Sequence, residues 1–76
     1  AFYVNNANFS PDGKTIVTAS ADNTARVWET TTGKLVSTLN EHTSNVNNAN
    51  FSPNGKTIVT ASSDGTAKVW KTKTGK

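Results

Sequence analysis

Ser62, His42 and Asp64 are the residue types of a nucleophile, a general base and its orienting acid, so any hydrolytic chemistry in this chain would have to start from them. Their setting argues otherwise. His42 is the single histidine, no strained nucleophile elbow surrounds Ser62, and Asp64-Gly65 is a turn signal between two β-prone runs. His42 is also without a cluster of metal ligands, so neither a metal nor a cofactor is expected. Asn8-Phe9-Ser10 and Asn50-Phe51-Ser52 match the glycosylation acceptor pattern. Both fall at the end of an expected strand in an Asn- and Ser-rich chain, where chance matching is the simpler account. The expectation is a protein that is not an enzyme.

Charge is the next chemistry to weigh. Eight Lys and Arg against five Asp and Glu leave a net +3, too mild to indicate nucleic acid without a patch. Lys68, Lys71, Lys73 and Lys76 cluster, but they alternate with Thr and carry no interleaved aromatics. Such alternation marks the solvated side of an edge strand. No stretch approaches the roughly 20 apolar residues of a membrane span, and no basic-then-apolar signal segment opens the sequence. With no cysteine, the chain is expected to be soluble and cytoplasmic.

The elements that position these residues are written twice. Pairing Val4 through Lys34 with Val46 through Lys76 leaves six differences in 31 positions: Asp12/Asn54, Ala21/Ser63, Asn23/Gly65, Arg26/Lys68, Glu29/Lys71 and Thr31/Lys73. A period of 42 residues falls in the range, roughly 20 to 50, of solenoids, propellers and arrays. Near identity implies recent duplication or design rather than long drift. The stretches TASADNTARVWE and TASSDGTAKVWK each read as a β-hairpin. Asn23 and Gly65 are the two residue types that enter positive φ most cheaply, so the residue after each Asp is expected to be left-handed.

In order, strands are expected at 4–9, 15–20, 24–28 and 35–39, then again at 46–51, 57–62 and 66–70. Ser10-Pro11-Asp12-Gly13 and Ser52-Pro53-Asn54-Gly55 are turns. Leu35, Ser37 and Leu39 should share one face of the fourth strand. Apolar residues of both parities, many of them small, indicate a sheet covered on both faces. The fold class is all-β, and antiparallel four-stranded units covered on two sides describe propeller blades. Residues 1–39 are expected to form one blade and 40–76 a second whose outer strand is cut away, disordered or completed by another chain.

The runs FSPDGKTIVTASADNTARVWETTTGKLVSTLNEH and FSPNGKTIVTASSDGTAKVWKTKTGK resemble the WD-repeat β-propeller family. The family's Gly-His pair stands here as Glu41-His42, and its Trp-Asp pair as Trp28-Glu29 and Trp70-Lys71. The resemblance implies a structural tetrad of His42, Thr60, Asp64 and Trp70, with Thr18, Asp22 and Trp28 as an incomplete set in the first repeat. It also implies protein or peptide binding on the face of the Asp22-Asn23 and Asp64-Gly65 turns, lined by Tyr3, Asn5, Ala21, Asn45, Asn47 and Ser63, with Tyr3 as the anchor. Two blades cannot close a ring, since propellers use roughly four to eight. Bare blade faces should therefore drive head-to-tail association of identical chains, four copies giving eight blades, as an interaction scaffold. The alternative is an excerpt of a longer WD-repeat protein.

Overall fold

A computed structural model describes residues 3–75 and consists of seven strands in two antiparallel sheets. The first sheet has the order β1 (Val4–Phe9), β2 (Thr15–Ser20), β3 (Ala25–Glu29), β4 (Leu35–Leu39). The second has β5 (Val46–Phe51), β6 (Thr57–Ser62), β7 (Ala67–Lys71). Each is a plain meander, as tight turns between sequential strands require.

The turns are fixed by short polar side chains. Asp12 Oδ1 accepts from the Ser10 hydroxyl at 2.6 Å and from the Lys14 amide at 2.9 Å, while Gly13 takes φ 73°. Asn54 Oδ1 does the same for Ser52 at 2.7 Å and Lys56 at 3.0 Å. Only an acceptor oxygen is needed, which is why Asp and Asn exchange here without changing the turn. The residue after each hairpin Asp is left-handed as expected, Asn23 at φ 73° and Gly65 at φ 86°.

Two expectations need correction. β3 and β7 begin one residue late, because the amides of Thr24 and Thr66 are spent on Asp22 at 3.1 Å and Asp64 at 2.9 Å instead of the ladder. They also end one residue late, where Glu29 pairs with Thr15 and Lys71 with Thr57. In β4 the alternation fails: Ser37 pairs with Val27 but Leu35 pairs with Trp28, leaving Val36 as a bulge. Val27 and Trp28 point to opposite faces, so Leu35 leaves the face of Ser37 and Leu39. Leu39 is buried, whereas Leu35 is exposed.

The core lies between the sheets and is built from opposite faces of the two blades. Val17, Ala19, Ala25, Val27 and Leu39 are fully buried on one face of the first sheet. They meet Val46, Ala49, Ile58, Thr60 and Trp70 of the second, with Phe51 packed alongside. At about 1.5–3 kcal/mol for each fully buried large apolar side chain, this single seam supplies most of the favourable burial. Side-chain amides stitch it further: Asn5 Nδ2 donates to Val46 O at 3.0 Å and Asn8 Nδ2 to Ala49 O at 2.7 Å.

Candidate functional site

His42 lies in the connection between β4 and β5, and its ring is enclosed. Its Nε2 is 2.7 Å from Thr60 Oγ1, and its Nδ1 is 3.0 Å from Asp64 Oδ2. The Trp70 indole donates to the same Thr60 oxygen at 2.9 Å. Indole can only donate and carboxylate can only accept, so the chain has one direction. Trp70 donates to Thr60, Thr60 donates to His42 Nε2, and His42 Nδ1–H donates to Asp64. Thr60 is completely buried, and no buried side-chain polar atom is left without a partner among the described residues. A satisfied network of this kind fixes the β4–β5 connection, the β6–β7 turn and the body of the second blade to one another.

Asp64 is the terminus on which the donors converge. The Thr66 hydroxyl above all, then the Thr43 amide at 3.0 Å and His42, hold its carboxyl well below the usual carboxylate range, against the opposing effect of burial. Thr43 and Thr66 were not singled out by sequence reasoning. The signal for Thr66 was its repetition two positions after the hairpin Asp, as Thr24 follows Asp22.

The first blade carries the reduced version. Trp28 Nε1 donates to Thr18 Oγ1 at 3.1 Å, but the Thr18 hydroxyl turns to Arg26 O at 3.4 Å. Asp22 instead meets Arg26 at 3.0 Å across the turn. Burial raises the Asp22 pKa, but hydrogen bonds from Thr24 and Ser20 and the Arg26 charge outweigh it and leave it lowered.

Ser62, His42 and Asp64 do not form a catalytic relay. The Ser62 hydroxyl bonds to the carbonyls of Asn45 at 2.9 Å and Ser44 at 3.1 Å, and the two nitrogens of His42 are occupied by Thr60 and Asp64. The geometry stabilises a turn; it activates no nucleophile.

The candidate rim lies beside the β2–β3 and β6–β7 turns. Tyr3 is 84% exposed and its carbonyl accepts from the Ala21 amide at 2.8 Å; in the second blade the Asn45 carbonyl accepts from Ser63 at 2.9 Å. Asn47 Nδ2 donates to the Ser63 hydroxyl at 3.0 Å, and Asn5 is committed to Val46 across the seam. Tyr3 is therefore the most exposed large apolar side chain at this end of the described residues, with Val4 beside it.

Residues 1–29 and 33–71 match the family model described as WD domain, G-beta repeat. Ribosome assembly protein 4 of Saccharomyces cerevisiae is 51% identical over 35 residues, covering 46% of this chain and 7% of that protein. The similarity thus spans a small fraction of the relative's length.

Proposed function

Because the chain belongs to the WD-repeat family, whose members generally mediate protein interactions, we propose that it is a non-enzymatic propeller segment whose copies join head to tail into a closed ring. Three or four chains would give six to eight blades, and we favour four, within the roughly four to eight blades of propellers. The ring would serve as a cytoplasmic scaffold for protein or peptide ligands, with Tyr3 the leading anchor on its rim.

One observation carries the reading. The face that is buried in the first blade is bare in the second, although its residues are the same. Val17 and Val27 are 0% exposed, while their counterparts Val59 and Val69 are 43% and 69% exposed. The other face shows the reverse: Val46 is buried and Val4 is 63% exposed. Each chain therefore presents at one end the surface that its own seam shows to be complementary to the surface at its other end. Repeating one interface with a rotation generates a ring when the rotation closes. Asn50 is consistent with this: it stays exposed and bonds to Asn48 within its own blade, whereas its counterpart Asn8 makes the equivalent bond to Asn6 and also reaches the next sheet.

A second reading has its own support. A match covering 7% of a longer relative fits a chain that is one part of a larger WD-repeat protein, with the bare faces covered by further blades of the same polypeptide. Light scattering on the purified chain separates the two. A multiple of 8.0 kDa supports assembly, and a compact species of single-chain mass refutes it.

A further inference from the structure

A cleft of about 770 Å³ opens between the two blades at the end opposite the β2–β3 and β6–β7 turns, among the β1–β2 turn, the β5–β6 turn and the segment after β7. Its walls carry Lys14, Lys56, Lys71 and Lys73, with Asp12 as the one acidic residue. Half of the chain's eight basic side chains thus converge on one hollow. All four lysines are exposed, and none is in a salt bridge among the described residues. Asp12 Oδ1 is engaged by the Ser10 hydroxyl and the Lys14 amide.

The repeat shows where this charge arose. Three of the six differences between the copies, Asp12/Asn54, Glu29/Lys71 and Thr31/Lys73, have a member in the cleft wall, and each makes the second copy more positive. The remaining three, Ala21/Ser63, Asn23/Gly65 and Arg26/Lys68, leave charge unchanged. All divergence in charge between two otherwise matched blades is therefore concentrated at this one place.

We infer that the cleft between the blades is a binding site for an acidic peptide segment, held by Lys14, Lys56, Lys71 and Lys73. The lysines are spread over the β1–β2 turn, the β5–β6 turn, the end of β7 and the segment after it, which suits carboxylates spaced along an extended chain better than one compact anion. Lysine offers a point charge rather than the planar fork that reads phosphate in two contacts. No aromatic side chain or arginine lines the cleft to stack a base. Within a ring it would recur once per chain, because the junction between chains would set Asn54 and Lys56 against Asp12, Lys14 and Glu29 of the next copy, a balanced set.

The test is fluorescence anisotropy of a short labelled polyglutamate peptide with the full chain at low salt. The double variant Lys71→Glu, Lys73→Thr restores the residues that the first blade carries at the same positions, so the strand and turn accommodate it. It should weaken binding by about tenfold or more, and Lys34→Glu, outside the cleft, should leave binding within about twofold. Circular dichroism of each variant verifies that the sheets are retained, and Lys14→Gln with Lys56→Gln supplies a second pair if they are not. The inference is overturned if the peptide does not bind, if Lys34→Glu weakens it as much as the cleft variants, or if inorganic phosphate or an oligothymidylate of matching charge binds more tightly.

Discussion

Val27→Ala and Val69→Ala remove the same two methyl groups from equivalent positions in two blades, and the difference between them measures what covers the second blade. Val27 is completely buried. Losing two buried carbons at about 0.8 kcal/mol each, plus the cavity left behind, should cost roughly 2–3 kcal/mol. Val69 is 69% exposed within the chain, so the same deletion should cost about 0.5 kcal/mol if nothing covers it. If a second copy seats on that face, Val69 acquires the surroundings of Val27 and the cost rises to about 2 kcal/mol, near thirtyfold in the association constant of each contact. The assay is denaturant unfolding of both variants and the parent at chain concentrations about a hundredfold apart. Assembly predicts comparable losses for the two variants and a midpoint that rises with concentration. A Val69→Ala loss no larger than about 0.5 kcal/mol, beside the full Val27→Ala loss at both concentrations, would refute the ring.

Trp70→Phe removes the indole donor from buried Thr60 and should destabilise by about 1–2 kcal/mol in chemical denaturation; Trp28→Phe, in the half-exposed network lacking a histidine among the described residues, should cost less. Asp64 has its folded pKa below the unfolded value of about 3.9, so its stabilisation is complete above about pH 5 and is lost as pH falls through about 4 and below. Asp64→Asn should flatten the acid limb of a stability-against-pH curve, with Asp12 and Asp22 retaining part of the slope; an unchanged limb would contradict the assigned hydrogen bonds. Gly65→Ala meets open space but forces a side chain to φ 86°, and should lower stability by about 1–2 kcal/mol; Asn23→Gly in the other hairpin should stay within a few tenths.

The strands and turns were legible because their determinants are local and written twice. Asp12 and Asn54 each supply the acceptor that a turn needs, and Asn23 and Gly65 each tolerate the left-handed backbone it needs. Placement of His42, Thr60, Asp64 and Trp70 followed from the family pattern, and the donor inventory explains why they bond in that order. What sequence could not show was set by neighbours. Val27 and Val69 are the same residue in nearly the same run, yet one is enclosed and the other is bare, because only one has a sheet in front of it. Leu35 was misplaced for a related reason: a bulge at Val36 is a property of the pair β3–β4, not of either strand alone. The lysine cleft escaped notice because Lys14 and Lys56 lie 42 positions apart: pairing of β6 with β7 brings Lys56 to Lys71, but Lys14 joins them only when the blades stack.

The hydrogen bonds that stitch the apolar seam between the blades run from Asn5 and Asn8 to main-chain carbonyls, at Val46 and Ala49, rather than to particular side chains. Every residue of any sequence carries such a carbonyl. A joint of this kind is indifferent to what its neighbour is called. Whole units of 42 residues can then be gained or lost by unequal recombination with every connection preserved, so the number of units in tandem is free to change over generations faster than the unit itself.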